Sequence, residues 1–182
     1  MKKVLRYLLM TIMALCISLP CLSAEAASVA LLPLINNVQG DEIANQVFYK
    51  NAIATMNKTK GFVMVENAKL TAAIQAANVG NEVPNAATMA KIAKDGKVDM
   101  VIAIQVDVIN DIPMPSSEEN KLKMDIQGYA ASYNALTGTY KKQRIYNDSV
   151  IPEVFSSRWD LVHEEFGREV RKAIAKALKA KK

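Results

Sequence analysis

Three groups of side chains in this 182-residue chain could carry chemistry, and each needs particular company to do so. His163 is the single histidine, so a Ser-His-acid relay or a histidine metal cluster would have to be assembled around that one ring. It lies four residues after Trp159 and three before Phe166, at the border of an apolar helical stripe, and that position assigns it a structural role. Glu118-Glu119 and Glu164-Glu165 are adjacent acids, and two carboxylates flanking a glycosidic bond are the apparatus of a glycoside hydrolase. One pair falls in a proline-bordered loop and the other on a helix flank, where charges are ordinarily solvated. A secreted hydrolase of cell-wall glycan is therefore the alternative reading, and no catalytic residue is assigned.

The third group is cationic and aromatic. Tyr140, Lys141, Lys142, Arg144 and Tyr146 place cations and rings close together, a composition suited to anionic glycan or lipid headgroups. The competing explanation is that lysines on an edge strand discourage strand-to-strand aggregation. Lys176, Lys179, Lys181 and Lys182 add a basic end, either complementing a helix dipole or resting on an anionic membrane or glycan surface. No cofactor or metal site is expected. After the apolar LLPL comes INNVQGDE, with one glycine, whereas a phosphate cradle needs several so that backbone N–H groups can close on oxygen.

The elements that must position these groups follow from periodicity. Val29 to Ile35 is an unbroken apolar run, the pattern of a strand buried on both faces. Asp41 is placed to cap a helix to about Asn57, with Ile43, Val47, Ala54 and Ile53 or Met56 inward. Phe62 to Val65 reads as a strand. Asn67 caps a helix carrying Leu70, Ala73, Ile74 and Ala77 that ends at Gly80, and Asn85 caps another carrying Met89, Ile92 and Ala93 that stops at Gly96. Val98 to Ile109 is a buried-type strand, and NDIPMPSSEEN, with Pro113 and Pro115, reads as a loop or frayed edge. Leu122, Met124 and Ile126 alternate with charged residues in a strand to about Ala135; a tight turn at Leu136-Thr137-Gly138-Thr139 leads into a last strand ending near Ser149. Ser156 or Ser157 caps a helix to about Ala180, with Trp159, Val162, Phe166, Val170, Ile174 and Leu178 on one stripe. The order β-α-β-α-α-β-β-β-α specifies an α/β (α+β) fold, a two- or three-layer mixed sheet of about five strands with flanking helices.

Ahead of this domain, Lys2, Lys3 and Arg6, an apolar run from Leu8 to Leu19 and the end Ala24-Glu25-Ala26 form a tripartite secretory signal. The apolar core is about a dozen residues, short of the roughly 20 that cross a bilayer as a helix. Cleavage is expected before Ala27, leaving residues 27–182 as one domain in the periplasm or outside the cell. Both cysteines, Cys16 and Cys21, lie in this leader in contexts unsuited to lipidation, so the mature chain is expected to have no disulfide, thiolate nucleophile or Cys-ligated zinc. The net charge of +5 falls to +3 without the leader, and residues 168–182 alone carry +6.

Four local sequences in this order, VALLPL, GFVMVENAKL, AKDGKVDMVIAIQV and YNALTGTYKKQ, resemble the periplasmic α/β domain shared by the curli-secretion lipoprotein family, the outer-membrane activators of penicillin-binding proteins and the amino-terminal domain of TolB. Asn134 stands where that group commonly has Asp before its T-G turn. The resemblance implies a non-catalytic envelope binding or assembly factor working through protein partners, with a homo-oligomeric structural subunit as a further alternative. Nucleic acid is not an expected partner in an exported compartment. Pore formation is not expected either, since each membrane-spanning strand needs about 10 residues of dedicated insertion.

Overall fold

The computed structural model describes residues 26–114, 120–152 and 157–179. Residues 1–25 of the leader, Glu118, Glu119, Pro115, Ser156, Lys181 and Lys182 lie outside the described residues. In chain order the elements are β1 (Ala27–Leu31), β2 (Ile35–Asn36), α1 (Ile43–Lys58), β3 (Phe62–Met64), α2 (Ala68–Ala77), α3 (Ala86–Gly96), β4 (Met100–Met114), β5 (Lys121–Asn134), β6 (Thr139–Asn147), β7 (Val150–Pro152) and α4 (Arg158–Lys179).

One mixed sheet in the order β3-β1-β4-β5-β6 divides the molecule, with β2 added beside β4 and β7 beside β5. Pairing is parallel among β3, β1, β4 and β2, and antiparallel from β4 through β5 to β6 and β7. Alternation along the buried strands feeds two cores. Val29, Met100, Ile102 and Ile104 meet α1 and α4 on one face, whereas Ala30, Leu32, Val101 and Ala103 meet α2 and α3 on the other. The fold is three-layered because the central strands are apolar on both sides.

The expected fold class and element order hold, with local differences that have physical causes. The run from Val29 to Ile35 is two strands, not one. Pro33 has no N–H to give a ladder, and the chain leaves the sheet between Leu31 and Ile35. Helix α1 buries Ala44, Phe48, Ala52 and Met56; of the expected inward residues Met56 is buried and Val47 half-buried, while Ile43 and Ala54 face outward. Ile43 and Ile53 are exposed, so the small alanines lie inward and permit close packing. Asn67 and Asn85 cap α2 and α3 as expected, each side chain accepting an N–H three residues on. Helix α2 stops at Asn78, in the left-handed conformation, before reaching Gly80.

Strand β4 continues through the expected loop to Met114, with Pro113 opposite Leu122. Proline is tolerated there because β2, the neighbour on the other side, pairs only with Gln105 and Val106. A β-bulge at Asp107 separates the two halves of β4, and Gly128 makes it possible: a Cβ there would lie 2.1 Å from the Gln105 carbonyl oxygen. The tight turn after β5 is held by Asn134, whose Oδ1 accepts the N–H groups of Leu136 and Thr137 at 2.9 and 3.2 Å. An Asx-turn needs only that acceptor, so Asn serves where Asp was expected.

Helix α4 packs on α1 through Gly167, where a Cβ would lie 2.5 Å from Asn51 Nδ2. Arg171 donates to Asn51 Oδ1, and Asn51 Nδ2 donates to the Val47 carbonyl at 2.7 Å. Nearer its start, α4 carries His163 into a buried contact. Nδ1 lies 2.7 Å from the Trp159 carbonyl, and Nε2 lies 3.0 and 2.9 Å from the two oxygens of Asp41. Both ring nitrogens therefore lie against oxygen atoms. Asp41 also accepts the Ala44 N–H at 3.0 Å, taking the capping role expected of it although α1 begins only at Ile43.

Candidate functional site

Strand β6 carries the cations and rings singled out by the sequence, and the pleat separates them onto two faces. Register pairs Tyr140 with Tyr133, Lys142 with Ala131, Arg144 with Tyr129 and Tyr146 with Gln127, all on the α2/α3 side. Lys142 Nζ sits 4.5 Å from the centroid of the Tyr129 ring, and the Arg144 guanidinium 4.8 Å from that of Tyr146. Arg144 also donates to Gln127 Oε1 at 3.0 Å. The row is anchored at one end by Tyr140, whose hydroxyl donates to the Pro84 carbonyl at 3.1 Å. Burial raises the Tyr140 pKa above its ordinary value of 10.0. At the other end the Tyr146 hydroxyl donates to Asp148 Oδ2 at 3.0 Å; this bond and the aspartate's charge raise its pKa, with Arg144 opposing.

Lys141 points to the opposite face and joins Lys176 and Lys179 of α4. Together with Ser132, Gln143 and Ala177 they line a groove of about 250 Å³. Among the described residues, none of Lys141, Lys142, Lys176 and Lys179 forms an ion pair, nor does Arg144. Lys172 differs: its Nζ is 2.7 Å from Glu169. The expected cation set is thus one ring-backed row and one groove, divided by the strand itself.

Three expectations need correction. A basic amphipathic helix end can rest on a membrane only if its apolar side is available, but Ala177 and Leu178 are buried in the molecule's own core. What remains outward there is charge. Trp159, expected in the sealed stripe, is 41% exposed and lies edge-on to His163 at the beginning of α4; the sealing residues are Val162, Phe166, Val170, Ile174 and Leu178. The acid pair Glu164-Glu165 also divides. Glu164 is exposed, while Glu165 is buried, 2.9 Å from Arg168 and within reach of Asn147 at 3.4 Å. Those two carboxylates do not share one open space, and the expectation that both are solvated fails for Glu165.

Sequence reasoning did not single out a second concavity, at the carboxyl ends of β1 and β2. Residues 32–37 form one wall and residues 74–81 the other, around about 400 Å³. Leu32, Ile35, Ile74 and Val79 supply apolar surface, and Asn36, Asn37, Gln75, Asn78 and Asn81 supply amides. Asn37 Nδ2 bridges the Asn81 carbonyl at 3.0 Å and Asp107 Oδ1 at 2.7 Å, holding the walls together. The only signal in the sequence was the asparagine content of INNVQG and AANVGNE, more simply taken as turn chemistry.

Among the described residues no cluster of metal-binding side chains occurs, and no helix is long and apolar enough to cross a membrane. No protein-family profile matches the sequence, and no curated protein matches it. Solved structures do. The chain is similar to a hypothetical protein from Chlamydia trachomatis at 12% identity, over 81% of this chain and 97% of that one, with a TM-score of 0.45. A lipoprotein from Neisseria meningitidis is 15% identical over 80% of this chain and 96% of that one, with a TM-score of 0.44. The C-terminal domain of LpoB from Salmonella enterica is 13% identical over 71% and 84%, with a TM-score of 0.37.

Proposed function

We propose that this chain is an exported, non-catalytic binding or assembly module of the cell envelope that holds an anionic partner along β6. The observation that carries the reading is the seating of Lys142 and Arg144 on tyrosine rings, without a described carboxylate in an ion pair. Lysines that only protect a sheet edge need no fixed geometry. Here the cations are positioned by rings and by Gln127, which lowers the entropy lost when a ligand arrives. The divided Glu164-Glu165 pair supports a non-catalytic role. The basic start, apolar core and Ala24-Glu25-Ala26 end support export. The anionic chemistry is that of a phosphate- or carboxylate-bearing headgroup or glycan.

The test is flotation of residues 27–182 with phosphatidylglycerol-containing vesicles, beside gel-shift titration with soluble polygalacturonate, a carboxylate-bearing glycan. Each cation near an anionic surface contributes about 1 kcal/mol, so Lys142→Gln with Arg144→Gln should weaken binding roughly thirtyfold at low salt. Retention on vesicles alone identifies a lipid partner, and on the polysaccharide alone a glycan. Equal binding by variant and parent, or indifference to salt, would refute the proposal.

A further inference from the structure

The cleft between residues 32–37 and 74–81 is independent of the cationic strand and differs from it in chemistry. It lies beyond the carboxyl end of β1, where adjacent parallel strands part company. β1 leads through β2 to α1 on one face of the sheet, and its neighbour β3 leads to α2 on the other. Such a switch point leaves a crevice that the fold does not fill, the general location of ligand sites in open α/β sheets. None of the lining residues is charged.

The lining also holds unspent hydrogen-bonding capacity. Asn36 is committed: its Nδ2 donates to the Asp41 carbonyl at 2.7 Å, and its Oδ1 accepts the Val38 N–H at 3.0 Å. The side chains of Gln75, Asn78 and Asn81 make no hydrogen bond with the described residues. Each amide offers a donor and an acceptor side by side, a match for neighbouring hydroxyls that both donate and accept. Ile74 and Val79, both half-buried, provide the apolar surface that a C–H face requires, with Leu32 buried behind them. An extended peptide fits less well. Docking as an added strand depends on main-chain pairing, and Pro33 in that wall has no N–H to give.

We infer that this cleft binds an uncharged saccharide unit, held by the amides of Gln75, Asn78 and Asn81 over an apolar floor. The test is saturation-transfer NMR and calorimetric titration of residues 27–182 with N,N′-diacetylchitobiose and maltose, and with a capped uncharged tetrapeptide as competitor. Gln75→Ala and Asn78→Gly suit the purpose, because Gln75 is exposed on α2 and glycine accepts the left-handed backbone of Asn78 (φ 45°). Saturable binding of one disaccharide is expected in the millimolar range, insensitive to salt and weakened about fivefold by each substitution. It should survive Lys142→Gln with Arg144→Gln, which separates it from binding along β6. Failure of both sugars to saturate, preference for the peptide, or full binding by the Gln75→Ala/Asn78→Gly protein would overturn the inference.

Discussion

Replacing His163 by leucine tests whether the contact with Asp41 is an ion pair on which the fold depends. Asp41 and His163 are 3% and 5% exposed, so neither can recover water when the other is removed. In His163→Leu the carboxylate keeps the Ala44 N–H but loses the donor that lies within 3.0 Å of both its oxygens. Breaking a buried pair from one side costs about 3–5 kcal/mol, since an uncompensated charge stays inside. For a domain of this length, 1 kcal/mol corresponds to about 2–4 °C, so the melting temperature should fall by roughly 10 °C. Adding Asp41→Asn removes the stranded charge while keeping an oxygen for the Ala44 cap, and more than half of the loss should return. Urea unfolding followed by far-UV circular dichroism gives both free energies, and the fluorescence of the sole tryptophan, 4.6 Å from the His163 ring, reports the same region. A His163→Leu protein within about 1 kcal/mol of the parent would show that the pair carries no net stabilisation, contrary to the geometric argument.

Gly128→Ala should be worse than an ordinary overpacking substitution, costing more than about 3 kcal/mol in the same urea assay, because the obstacle at 2.1 Å is a backbone oxygen. Gly167→Ala should cost about 1–3 kcal/mol and be largely rescued by Asn51→Ala, which removes the amide at 2.5 Å; absence of rescue in the double-mutant cycle would place the strain elsewhere. Tyr140 keeps its proton more tightly when folded, so its contribution is fully present below pH 10.0 and is lost as pH rises through the raised folded value. Tyr140→Phe should therefore flatten the fall in stability above pH 10.0, at a cost near neutrality of about 1 kcal/mol for the lost Pro84 bond.

What could be read from the sequence follows the strength of local signals. The stripe of α4 from Val162 onward, the caps at Asn67 and Asn85 and the turn at Asn134 are each specified by residues within a few positions of one another, and each has its expected place. Ile43 and Ile53 are more apolar than Ala44 and Ala52, so the α1 sequence alone favours a face rotated from the one that packs. Packing against α4 turns the face with Ala44, Phe48, Ala52 and Met56 inward instead, a choice visible only with the partner helix present. Arg168, one helical turn from Glu165, is legible from spacing, but the strand residue Asn147 that helps bury Glu165 is not. For the cationic strand the residues were legible, while the partition of Lys141 from Lys142 needed the pleat. The amide cleft was not legible, since its walls are drawn from two segments about forty positions apart and joined by Asn37.

The meeting of α1 with α4 also sets an order of events. The inner face of α1 is made first, and Phe166, Gly167 and Val170, which complete the core it shares, follow it by more than a hundred positions. Until then a growing chain carries Phe48 and Met56 without their final cover, and the sheet lacks its lid on that side. Contacts spanning more than a hundred positions form slowly because the intervening loop must first be closed. The domain therefore reaches its closed state only once α4 has been made, and the inner face of α1 stays without its cover until then.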